Sequence, residues 1–169
     1  MKIFIGCTSN NEVNDNYKNE VDKISKVLNE KYDLIIGGTN DNGIFSILIN
    51  NFNNIELVTL PIYKEDVIDK IKVSYVDSTF DRTKTIYNMA DKILILPGGT
   101  GTICEIFSIL EESRTFDKKE IIIFNLDNYY TDIIKMISKS IKNDFNKNSI
   151  LDYIKVFNNS DDLIRYLGG

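Results

Sequence analysis

Glu105 stands just beyond a run of small residues, Pro97-Gly98-Gly99-Thr100-Gly101-Thr102, and that run follows the unbroken apolar stretch Ile93-Leu94-Ile95-Leu96. An apolar strand that empties into a glycine-rich turn and then opens a helix is the build of an anion site. Gly98, Gly99 and Gly101 admit positive φ angles and close approach of the backbone to a ligand, while the first helical amides and the helix dipole favour negative charge. A phosphate is the expected guest, with Glu105 as an acid beside it. The chain contains no histidine, so neither a Ser-His-Asp nor a Cys-His nucleophile system can be assembled from it. The acid or base has to be a carboxylate, a tyrosine, a lysine, a thiol or water. Two cysteines, Cys7 and Cys104, without histidine make a zinc site or a disulfide framework unexpected, and no metal or cofactor is anticipated. Both read as small packing residues.

The elements that position this turn follow from the alternation of short β-branched runs with longer segments of helical period, the pattern of βαβ units around a parallel sheet. Strands are predicted at Lys2–Gly6, Leu34–Gly37, Glu56–Leu60, Lys72–Tyr75, Lys92–Leu96, Glu120–Phe124 and Ile154–Phe157. Helices are predicted at Tyr17–Lys31, Gly43–Asn51, Ser78–Ala90, Thr102–Thr115, Tyr130–Asp144 and Asp161–Leu167. Right-handed crossovers then give a Rossmann-like, doubly wound α/β fold in three layers, α/β/α, with residues 1–169 forming a single nucleotide-binding domain. Open parallel sheets bind ligands at the C-terminal ends of their strands. Three loops fall on that edge: Gly6-Cys7-Thr8-Ser9, Gly37-Gly38-Thr39-Asn40-Asp41-Asn42-Gly43, and the Pro97–Thr102 turn.

The segment Pro97 to Glu105 fits the pattern PGGxGTxxE at all nine positions and thereby resembles the Lonely Guy (LOG) phosphoribohydrolases, a family long labelled as lysine decarboxylases. Arg82, fifteen residues before the proline, and the pair Ala90-Asp91 occupy places that the family also fills. The turns at Gly6 and Gly37 resemble its CGSS-like and GGGxxGLMG-like loops more loosely. Two positions depart from the pattern: Thr83 stands where a lysine usually follows the arginine, and Thr39 replaces a third glycine. The resemblance implies hydrolysis of the N-glycosidic bond of a nucleoside 5′-monophosphate, AMP or an N6-modified AMP, to a free base and ribose 5-phosphate. It implies that Gly98, Gly99, Thr100, Gly101 and Thr102 hold the phosphate, with Gly38, Thr39 and Ser9 also lining the substrate site. Glu105 would face the sugar as an ionised catalytic carboxylate, and Arg82 would lie near the phosphate or base and keep Glu105 ionised. A homodimer is implied as well. Nothing resembles a pyridoxal phosphate site, so lysine decarboxylation is not expected.

Two other functions share these features. A nucleotide sensor or molybdenum cofactor carrier of the same fold would bind without turnover, and a deoxyribonucleotide glycosidase or transferase would also need a sugar-binding carboxylate. Individual residues have structural readings too. Thr102-Ile103-Cys104-Glu105 is a capping-box pattern, as is Ser78-Thr79-Phe80-Asp81, where Asp81 is assigned to structure. Tyr129 and Tyr130 read as core and cap rather than as ligand-stacking groups. A net charge of −5 with lysines and acids intermixed argues against a nucleic-acid partner. No apolar segment is long enough to span a bilayer and Met1–Cys7 is too short for a signal peptide, so the expected compartment is the cytoplasm.

Overall fold

Alternation within each buried strand sends successive side chains to opposite faces of one sheet. Ile3, Ile5, Leu34, Ile36, Leu94, Leu96, Ile122 and Phe124 enter one apolar cluster, whereas Phe4, Ile35, Ile93, Ile95, Ile121 and Ile123 enter another. Both faces are therefore apolar, and each must be covered by helices. The computed structural model describes residues 1–38, 43–66, 71–116 and 118–168. Its strands are β1 (Lys2–Gly6), β2 (Asp33–Gly37), β3 (Ile55–Thr59), β4 (Lys72–Tyr75), β5 (Lys92–Ile95), β6 (Ile121–Phe124) and β7 (Ile154–Phe157). Helices α1 (Asp15–Leu28), α2 (Ile44–Asn51) and α6 (Ser160–Gly168) cover the first face, and α3 (Thr79–Met89), α4 (Thr100–Thr115) and α5 (Thr131–Lys142) cover the second. This is the three-layer, Rossmann-like α/β/α architecture expected from the sequence.

All strand pairs are parallel, in the order β4-β3-β2-β1-β5-β6-β7. The order reverses direction between β1 and β5, which makes their C-terminal ends the switch point where such sheets hold ligands. Gly6 is in register with Ile95, and the Leu96 amide donates to the Gly6 carbonyl at 2.8 Å just beyond it. The loops after β1 and β5 thus leave the sheet side by side, with the end of β2 next to that of β1.

Element boundaries differ from the sequence expectation where a cap decides. Helix α1 starts at Asp15 rather than Tyr17 because the Asn14 side chain accepts the Tyr17 amide at 2.8 Å. Ser78 caps α3 by accepting the Asp81 amide at 3.1 Å, so Asp81 is structural as expected. Helix α4 begins at Thr100, two residues earlier than expected, with Gly99 as its N-cap.

At the opposite edge of the sheet, Glu56 of β3 accepts from Lys2 of β1 and from Lys72 of β4, each at 2.9 Å. Burial alone would raise the Glu56 carboxyl, but the two ammonium groups more than offset it and hold it below its ordinary value. The link from Lys2 to Glu56 bridges across β2. Replacing Glu56 with Gln removes the charge from both bonds and should lower unfolding free energy at neutral pH by about 1–2 kcal/mol in a urea titration. Because the folded-state pKa is depressed, the wild-type advantage is present above the unfolded pKa and disappears as pH falls through the folded one.

Candidate functional site

The turn between β5 and α4 is held from behind by three tyrosines that come from two elements. Tyr130 donates to the Leu96 carbonyl at 2.8 Å, Tyr17 to the Pro97 carbonyl at 2.6 Å, and Tyr129 to the Gly98 carbonyl at 2.7 Å. Tyr17 belongs to α1, and the tyrosine pair enters α5 after a turn in which Asp127 and Asn128 take left-handed φ angles of 50° and 62°. Asn125 secures that turn by accepting the Tyr130 amide at 2.7 Å. Three successive carbonyls are thereby fixed. In a trans peptide the N–H points opposite to the C=O, so holding the Pro97 and Gly98 carbonyls orients the Gly98 and Gly99 amides.

At the front of the turn, Gly99 caps α4 without a side-chain hydrogen bond. The first amides of the helix, at Thr100, Gly101 and Thr102, lie beyond the reach of intrahelical partners and form the donor set of an anion site. None of Gly98, Gly99 and Gly101 has a positive φ, contrary to the expectation from sequence. What matters is the missing side chain. A Cβ on Gly98 would lie 2.3 Å from the Thr102 hydroxyl oxygen, whereas at Gly99 and Gly101 it would project into open space. Thr102 does not form the expected capping box, because it is the third residue of the helix and its hydroxyl donates to the Cys7 carbonyl at 3.1 Å. That bond ties the β1 loop to the helix start.

Glu105 is 8% exposed, and Arg82 Nη2 lies 4.0 Å from its Oε1. Two strand ends make room for this pair. A Cβ on Gly6 would stand 3.2 Å from Glu105 Oε2, and one on Gly37 would stand 2.8 Å from Ile86 Cδ1 and 3.6 Å from Arg82 Cδ. Burial pushes the Glu105 carboxyl up and Arg82 pulls it down, with burial the larger effect, so its pKa rises to about 7. The expectation that Arg82 keeps Glu105 ionised is corrected accordingly: near neutrality both forms are populated. Among the described residues, Arg82 Nε is buried without a hydrogen-bond partner, a donor available to the cavity. Burial, and then the neighbouring Glu105, push the Cys7 thiol up, which leaves it an inert packing group. Cys104, by contrast, is exposed, with its Sγ 4.0 Å from the Ser108 hydroxyl oxygen, so it is not the buried packing residue expected.

Glu105, Arg82, Thr100, Gly101 and Thr102 line one cavity of about 300 Å³, together with Ser9, Gly38 and Gly99. Eight of the ten residues selected from sequence therefore converge. Gly98 lies instead on a larger cavity behind the turn, and Thr39 falls outside the described residues. Phe45 and Tyr63 also wall the Glu105 cavity and were not selected. Tyr63 lies in a short 3-10 segment, Pro61–Asp66, whose sequence carries no motif to mark it, while Phe45 sits directly after the glycine loop and matched the helical core pattern equally well.

A family model described as possible lysine decarboxylase matches residues 47–167. Among solved structures, the molybdenum cofactor binding protein from the phototrophic bacterium Rippkaea orientalis is similar with a TM-score of 0.66, at 12% identity over 98% of this chain and 94% of that one. The molybdenum cofactor carrier protein MCP from Chlamydomonas reinhardtii has a TM-score of 0.64, at 12% identity over 99% and 96% of the two chains. At that identity these likenesses show the fold alone. No curated protein matches the sequence. The match over residues 47–167, together with the glycine turn and the buried acid that it positions, shows that the chain belongs to the family described as possible lysine decarboxylase, the LOG-like family.

Proposed function

We propose that this one-domain chain is a nucleoside 5′-monophosphate phosphoribohydrolase acting on AMP or an N6-modified AMP. The observation that carries the reading is the buried Glu105 carboxyl, 4.0 Å from Arg82, beside the open N-terminus of α4. The 5′-phosphate sits on the Thr100, Gly101 and Thr102 amides, and that remote binding energy presents C1′ to Glu105. Ionised Glu105 orients a water and takes its proton as the water oxygen bonds to C1′. The C1′–N bond breaks, and its electron pair leaves with the base, which takes up a proton. The carboxylate also stabilises the positive charge that develops at C1′ and the ring oxygen. Tyr63 and Phe45 offer aromatic surface to the base. Phe107 and Cys104, exposed on α4, support pairing of two copies along this helix.

Carriage of a molybdenum cofactor or another pterin or nucleotide phosphate without turnover is the second reading, favoured by the fold shared with the two molybdenum cofactor proteins. It requires the anion-binding amides but not the Arg82–Glu105 pair. Release of free base from ribo- and deoxyribonucleoside 5′-monophosphates separates the two readings and also separates ribose from deoxyribose substrates. Tight binding without base release by the wild type would decide for the carrier.

Glu105→Gln keeps the shape and removes the charge. Base release should drop by about a hundredfold or more, the scale of a lost acid–base group. Because the folded-state pKa of Glu105 is raised to about 7, ionisation opposes folding above that pH, so the variant should melt higher than wild type at pH 8. That difference should vanish below the unfolded pKa, where both states are protonated.

Arg82→Ala removes the attraction that lowers the Glu105 pKa. Turnover should fall, and the acidic limb of the rate profile should move to higher pH. An unmoved limb in an active variant would detach Arg82 from Glu105.

Tyr129→Phe deletes the bond to the Gly98 carbonyl while its ring stays. The Michaelis constant for the nucleotide should rise severalfold with little change in melting temperature, since the Tyr129 ring is half exposed and a neutral hydrogen bond contributes about 1 kcal/mol. Kinetics and thermal denaturation of the same sample check both parts.

A further inference from the structure

We propose that the cavity behind the glycine turn binds a separate small molecule: a planar nitrogen heterocycle, uncharged or cationic, carrying hydrogen-bond donors. This inference does not rest on the phosphoribohydrolase reading. The cavity measures about 620 Å³, twice the volume beside Glu105, and adjoins that one at Thr8 and Gly99, while its other lining residues are its own. Its size falls within the span of about 300–1,000 Å³ typical of small-molecule sites.

The lining states what would fit. The rings of Tyr17 and Tyr129, with Pro97, Val13 and Leu126, give apolar and aromatic surface. A planar ring can stack against such walls. Two acidic residues, Glu12 and Asp127, line the cavity, and among the described residues no lysine or arginine does. Among charged groups, an anion would meet like charge there, with Thr8, Asn10 and Asn14 as neutral polar neighbours. A ligand with ring N–H or amino groups would instead donate to ionised acceptors, the stronger kind of hydrogen bond. The backbone at Asp127 is held left-handed, at φ 50°, which fixes where its carboxylate starts. The two cavities therefore differ in their charged groups: helix amides and Arg82 facing Glu105 line one, and Glu12 and Asp127 line the other. The hydroxyls of the same two tyrosines hold the Pro97 and Gly98 carbonyls, so an occupant would touch the groups that shape the anion site.

Nicotinamide and nicotinate are nearly the same shape and differ in charge, and they serve as the probes. Each is titrated against wild type, against the double variant Glu12→Gln, Asp127→Asn, and against Arg82→Ala, with binding read by saturation-transfer NMR. Glu12 and Asp127 are exposed, the replacements are isosteric, and asparagine tolerates a left-handed backbone, so the double variant should fold. Millimolar binding of nicotinamide is expected, with nicotinate weaker by about tenfold or more, equivalent to about 1.4 kcal/mol. The double variant should lose that preference for the uncharged probe, and Arg82→Ala should leave it intact. Equal binding of both probes to wild type, no binding of nicotinamide at millimolar concentration, or a loss caused by Arg82→Ala and not by the double variant would each overturn the proposal.

Discussion

The geometry of the site depends on the capture of three consecutive carbonyls by three phenol groups. A glycine-rich turn has little stiffness of its own, because each glycine adds backbone freedom that folding must remove. Here the stiffness comes from outside the turn. Leu96, Pro97 and Gly98 present their oxygens to Tyr130, Tyr17 and Tyr129, and those tyrosines are anchored in α1 and at the entrance to α5. Burial pushes the Tyr17 and Tyr130 hydroxyls far up, so both remain neutral donors. The turn can then hold its amides in one orientation while carrying almost no side chains towards the cavity. Rigidity behind and emptiness in front are supplied by different parts of the chain.

Glu105 shows the opposite economy. Its environment disfavours its charge, and Arg82 only partly compensates. A residue selected for stability alone would not be ionisable at this position. The local cost is set within a sheet whose two apolar faces and Lys2–Glu56–Lys72 bridge lie elsewhere, so the discomfort at the switch point does not spread to the framework. A carboxyl poised near neutrality can exchange protons in both directions, which a strongly paired acid cannot.

Much of this was legible in the sequence because it is encoded locally. The β-branched runs gave every strand, and the Pro97–Glu105 pattern placed the turn, the helix and the acid together. Convergence of Ser9 and Gly38 on Glu105 followed from the rule that places ligands at strand ends, whereas Arg82, inside α3, was marked by the family resemblance. The misreadings arose where a long-range contact decided the outcome. Thr102 matched a capping box, but its hydroxyl is taken by Cys7, ninety-five residues away in sequence. The protonation of Glu105 turned on how deeply it is buried, which no spacing reports. Tyr129 read as core or cap, yet its hydroxyl serves the turn and half its ring is exposed. The cavity behind the turn draws on segments around residues 8–17, 97–99 and 126–129, and no motif links them.

The clearance at Gly6 bears on how proteins of this architecture can diverge. One methyl group there would lie 3.2 Å from the Glu105 oxygen and 3.0 Å from Ile95 Cδ1, while the helix amides that hold an anion would be untouched. Within such a scaffold, the surroundings of the buried carboxyl can be altered by a single carbon atom at a strand end, apart from the donors at the helix start. A lineage could change what surrounds that carboxyl without rebuilding its sheet or its helices.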